Sequence, residues 1–133
     1  MRGSACIGNP KSVRLRCLIV DDNAQFLEGA ASLLGREGLD VVGVASSSDE
    51  AIRLATELRP DVTLVDIDLG EEDGFELTQR LSQIAGPSSK VILVSTHAEE
   101  DMAQLIAEST AVGFVPKTRL SARAILDLLE RAA

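Results

Sequence analysis

Five short apolar runs alternate with five stretches that carry apolar residues at three- and four-residue spacing, and that alternation limits the folds open to this chain. The runs are 15–20 (LRCLIV), 40–45 (DVVGVA), 61–66 (DVTLVD), 90–95 (KVILVS) and 112–115 (VGFV). They are continuously apolar and rich in β-branched residues, as expected of strands covered on both faces. Between them, Ala24 to Arg36 offers Phe26, Leu27, Ala30, Leu33 and Leu34 on one helical face and stops at Gly38. Ser47 to Glu57 opens with Ser47 and Glu50 in capping-box spacing and ends before Pro60. Asp73 to Gln83 presents Phe75, Leu77 and Leu81 and closes at Gly86-Pro87. Glu99 to Ser109 presents Met102, Leu105 and Ile106, and Ser121 to Arg131 presents Ile125, Leu126, Leu128 and Leu129. Strand and helix repeated five times predict an α/β fold: a doubly wound five-stranded parallel sheet, order 2-1-3-4-5, with five helices on its two faces.

The length, 133 residues, suits one domain with a real core. Residues 1–13 read as a flexible leader, part of it (MRGS) vector-derived, and residues 14–133 as the domain. No apolar run approaches the ~20 residues that span a bilayer. The net charge of −8 opposes binding to nucleic acid or anionic membrane, so neither is expected as a direct partner. Cys6 and Cys17 do not make a disulfide framework, and Cys17 lies in a strand pattern as a small buried hydrophobe. Reduced thiols without an export signal point to the cytoplasm.

Ligands of such sheets bind beyond the carboxyl ends of the strands, near the switch in strand order, which the first and third strands flank. Asp21 and Asp22 end the first, and Asp66 ends the third. One aspartate before a helix is most simply a cap. Two adjacent carboxylates after a buried strand need a cation to offset their repulsion, and Mg²⁺ suits, because it takes hard oxygen ligands and keeps several waters. Asp66 can act as a nucleophile toward phosphorus if metal and cation neutralise the developing charge; otherwise it is a solvated strand end. Asp68 overhangs the same pocket or points to solvent, the latter being slightly favoured. Lys117 would usually be a solvated charge, but here it follows the last strand at the same edge, where it can pair with Asp66 or with phosphoryl oxygens. Ser95 and Thr96 end the fourth strand there, as phosphoryl donors or as an ST-turn. His97, the single histidine, reads as a rim residue, and Phe114 as packing. Gly70 and the Asp73-Gly74 pair read as turns, with glycine supplying positive φ.

VDD at 20–22, PDVTLVDIDLGEEDG at 60–74, VILVST at 91–96 and GFVPK at 113–117 together resemble the receiver domain of bacterial two-component response regulators, a flavodoxin-like fold. The resemblance runs from about residue 14 to the C-terminus. It implies that Asp66 is the phosphoacceptor, charged by a sensor histidine kinase or phosphotransfer protein. Asp22 and Asp66 would ligate Mg²⁺ directly, Asp21 through water, and Asp68 through its backbone carbonyl. Lys117 would contact the phosphoryl group, Ser95 would be the switch hydroxyl, Phe114 the switch aromatic, and Thr96 and His97 would modulate the reaction. Such a chain promotes its own Mg²⁺-dependent phosphorylation and dephosphorylation without being a conventional enzyme. Its output would be a reshaped surface of fourth helix, fifth strand and fifth helix, read by a downstream protein, a C-terminal output domain or a second copy of the chain. Thr118 follows the lysine where the family commonly has proline, and LGEEDG replaces the usual MPxMDG loop. The other readings are the receiver half of a DNA-binding transcription regulator, a phosphorylation-independent binding module and, from Asp66-Ile67-Asp68, an aspartate-nucleophile phosphatase.

Overall fold

The computed structural model describes residues 14–85, 89–96 and 99–132. Along the chain run β1 (Arg16–Val20), α1 (Ala24–Arg36), β2 (Asp40–Ala45), α2 (Ser48–Leu58), β3 (Val62–Asp66), α3 (Gly74–Ala85), β4 (Lys90–Ser95), α4 (Glu99–Glu108), β5 (Gly113–Pro116) and α5 (Ala122–Ala132). The strands form one parallel sheet in the order β2-β1-β3-β4-β5, which is the predicted 2-1-3-4-5. Cys6, the Gly86-Pro87 stop and His97 lie outside the described residues.

Successive side chains of a strand point to opposite faces, and here each face has its own apolar cluster. Cys17, Ile19 and Leu64 face α1 and α5, meeting Leu27, Leu34 and Ile125. Leu18, Val20 and Leu93 face the other layer, meeting Ala51 and Ala55 of α2 and Leu77 and Leu81 of α3. Ile92 and Leu93 are both fully buried, each worth roughly 1.5–3 kcal/mol relative to an exposed side chain. β2 departs from the expectation of two covered faces: only Ala45 is buried in it, and Val44 is 40% exposed. It is the edge strand beside β1, so it lacks a neighbour on one side and its helices cover it incompletely.

The helix starts follow their caps. The Asn23 side chain accepts hydrogen bonds from the Gln25 and Phe26 amides at 2.9 and 3.1 Å and starts α1. Ser47 accepts from the Glu50 amide at 3.2 Å, while Glu50 reaches back to the Ser46 amide, one residue beyond the standard capping box. α2 stops at Arg59, which takes a left-handed φ of 48° before Pro60.

Burial pushes the Cys17 thiol up to about 12. At pH 8 that leaves about one thiol in ten thousand ionised, and the thiolate is the reactive form. A Cys6→Ser chain is therefore expected to give no reaction with a disulfide reagent until denaturant unfolds it. Release of the chromophore from the native chain at the rate of a free thiol would contradict this placement.

Candidate functional site

Parallel strands in register end at one height, and this levelling builds the site. Val20 of β1 pairs with Val65 of β3, Asp66 with Val94 of β4, and Ser95 with Pro116 of β5. The residues that follow those pairs, Asp21, Asp22 and Lys117, therefore emerge together with Asp66 and Ser95 on one edge.

There the Lys117 ammonium lies 2.6 Å from Asp21 Oδ2 and 3.2 Å from Asp66 Oδ2. Asp21 is fully buried, Asp66 is 4% exposed and Asp22 is exposed. Each of the three carboxylates offers an oxygen within 4.8 Å of the others. Asp21 Oδ1 accepts from the Asn23 amide at 2.9 Å. Its partner Oδ2 is buried, and the Lys117 ammonium is the group that meets it. Asp66 Oδ1 accepts from the Asp68 amide at 3.1 Å. Three converging carboxylates faced by a single ammonium leave excess negative charge and free oxygen lone pairs, which fits a hard divalent cation.

The electrostatics reflect that crowding. The Asp66 carboxyl is pushed up from its ordinary 3.8 to about 6, first by burial and then by the charge of Asp21; the Asp68 amide and Lys117 pull the other way. Burial works to lower the Lys117 value, but the bond to Asp21 and the charges of Asp66 and Asp21 together hold the ammonium above its usual range.

The structure thus brings Asp21, Asp22, Asp66 and Lys117 together. Ser95 is fully buried at the end of β4, and Thr96 beside it is exposed. Asp68 is exposed, as favoured from the sequence. Phe114 is 7% exposed and packs in the cluster that contains Leu93 and Val65. Gly70 has the expected positive φ, 64°, and a Cβ there would come within 3.1 Å of Asp22 Oδ2. Gly74 corrects the expectation of positive φ, because its special need is closeness: a Cβ would overlap the Asp66 carbonyl oxygen and lie 2.8 Å from Ile67 Cα.

Three features escaped sequence reasoning. Asp68–Leu69 and Glu72–Asp73 form a short antiparallel hairpin. Glu72 accepts from the Ser48 amide at 2.8 Å, tying that hairpin to the start of α2. The Phe26 ring centroid lies 4.4 Å from the Lys117 ammonium. The turn reading at Gly70 is the one signal that pointed toward any of these.

Comparison with known proteins gives the same architecture. The response regulator receiver domain model matches residues 17–130. Transcriptional regulatory protein LiaR of Bacillus subtilis (strain 168) is 31% identical over 121 residues, covering 90% of this chain and 56% of LiaR. The chain spans about half the length of the curated relatives it matches. A LuxR-family two-component response regulator from Aurantimonas sp. SI85-9A1 superposes with a TM-score of 0.75 at 31% identity, covering 90% of this chain and 84% of that one. A Burkholderia pseudomallei response regulator, solved with a phosphorylated aspartic acid, calcium ion and citrate, has a TM-score of 0.75 at 27% identity, covering 86% and 66%. This chain belongs to the response regulator receiver domains of two-component systems.

Proposed function

We propose that this receiver accepts a phosphoryl group on Asp66 from a phosphohistidine of a sensor histidine kinase or phosphotransfer protein. One observation carries the reading: Lys117 reaches both Asp21 and Asp66 from a different strand end, in a pocket whose three carboxylates converge. A Mg²⁺ ion would be held by Asp21, Asp22 and Asp66 with the backbone carbonyl of Asp68. When bound, it supplies charge neutralisation for the phosphoryl oxygens. An Asp66 carboxylate oxygen attacks phosphorus in line, the P–N bond breaks, and its electron pair returns to the imidazole, leaving an acyl phosphate. Lys117 pairs with a phosphoryl oxygen, and the Ser95 hydroxyl donates to another, while Thr96 and His97 govern access of water. The charge gained biases a two-state element that includes Phe114 and the surface of α4, β5 and α5.

The setting we propose is the cytoplasm. The output is a downstream protein or a further domain, with a second copy docking through α4, β5 and α5. The matched segment is only about half of relatives such as LiaR, called transcriptional regulators, which supports the receiver half of a DNA-binding regulator. No described helix is long and apolar enough to cross a membrane.

Acetyl phosphate with Mg²⁺ is expected to add a single phosphoryl group, and chelator to prevent it. Mg²⁺ alone should raise the thermal midpoint, by about 2.7 kcal/mol of stability at a concentration 100 times the dissociation constant. Asp22→Asn should remove that rise while leaving the Lys117 ion pairs in place. No labelling under these conditions would defeat the acceptor reading, and a full Mg²⁺ response in Asp22→Asn would defeat the ligand assignment.

A further inference from the structure

The acidic residues of the pocket have two claimants, because two of the three carboxylates that could hold a divalent cation, Asp21 and Asp66, also pair with Lys117. A lysine held only by carboxylates would be released as the cation binds. Lys117 has a third contact that does not compete. Its ammonium lies over the face of the Phe26 ring, 4.4 Å from the centroid, within the range of a cation–π attraction. The ring is fixed independently of the lysine. Phe26 lies in the first turn of α1, its amide bonded to the Asn23 cap, and it packs against the apolar cluster shared by α1 and α5.

We propose that Phe26 is a positioning residue whose ring face keeps the Lys117 ammonium aimed into the pocket when the carboxylates are engaged elsewhere. This rests on the reading of Asp66 as phosphoacceptor. The bland explanation is that Phe26 is only part of the α1 apolar face. The two separate because a cation–π contact depends on the electron density of the ring, whereas packing depends on its volume.

The test replaces Phe26 by 3,4,5-trifluorophenylalanine, which keeps the shape and drains the ring face, alongside Phe26→Tyr and Phe26→Leu. The readouts are the phosphorylation rate at saturating acetyl phosphate and Mg²⁺, the Mg²⁺ affinity, and the proton shifts of the Lys117 ε-methylene. The chain has three phenylalanines and no Tyr or Trp, so few rings can displace those shifts. In the parent chain the ε-methylene protons are expected upfield of those of Lys90. The fluorinated ring and Leu should each slow phosphorylation about tenfold. Mg²⁺ affinity should be unchanged, and Tyr should keep nearly the parent rate. A fluorinated chain that reacts at the parent rate overturns the proposal, as does an unshifted Lys117 in the parent. A parent chain that takes no phosphoryl group but shows the upfield lysine supports the ring contact and refutes the acceptor reading, so the two failures are distinguishable.

Discussion

Asp66→Asn is expected to abolish phosphoryl transfer and, in the absence of metal, to make the chain more stable. The first effect follows from chemistry: an amide lacks the anionic oxygen that attacks phosphorus, so labelling by acetyl phosphate with Mg²⁺ should fall below detection. The second follows from the strained protonation of the site. Asp66 binds its proton more tightly folded than unfolded, about 6 against 3.8, a difference worth about 3 kcal/mol. For a carboxyl raised in this way, the folded state bears the whole cost above about pH 6 and is relieved as the pH falls toward 4. Asparagine removes that cost but also loses the ion pair to Lys117, so the net gain at pH 7.5 in chelator should be about 1–3 kcal/mol. It should shrink between pH 6 and pH 4, as read by urea midpoints. Persistent labelling of the variant sinks the acceptor assignment, and a variant less stable than the parent at pH 7.5 sinks the electrostatic account.

Gly74→Ala should be among the most damaging single methyl additions. The new Cβ would overlap the Asp66 carbonyl oxygen and crowd the Ile67 backbone, where no flexible side chain can yield. The Gly74 amide also donates to the Ile67 carbonyl at 3.0 Å, and Thr78 returns a hydrogen bond to the Gly74 carbonyl at 2.8 Å. Making room means lifting the start of α3 from the end of β3 and displacing Asp66 with it. Overpacking of this kind against backbone should cost about 3 kcal/mol or more. For a domain of this size that lowers the thermal midpoint by about 10 °C or more, and phosphorylation should fall with it. Gly29→Ala is the matched control: nothing lies within 4 Å of its Cβ, in the body of α1. There alanine should stabilise by roughly 0.5–1 kcal/mol. Equal and small effects at the two glycines would mean that α3 does not press on the end of β3 as described.

Much of this molecule was legible in one dimension because its physics is local. Strands of a parallel sheet read as apolar runs, and helices laid across them repeat at three and four residues, so all five strands and all five helices were found within two residues of their ends. The convergence of Asp21, Asp22, Asp66 and Lys117 could be inferred because a parallel, in-register sheet ends level. What failed was whatever depended on neighbours distant in sequence. β2 reads like a central strand, yet its exposure is set by its place at the sheet edge. Gly74 looks like turn chemistry, yet its constraint is the backbone of another segment.

The sequence by itself determined which charges reach the pocket, since pattern and strand order fix which chain ends lie together. Only the tertiary structure decided how they share it: that Lys117 sits nearer Asp21 than Asp66, and that an aromatic ring from α1 stands over the ammonium. The reason is one of scale. Strand order places residues to within a strand spacing of about 5 Å. The choice between partners at 2.6 and 3.2 Å depends on side-chain packing, which periodicity does not encode.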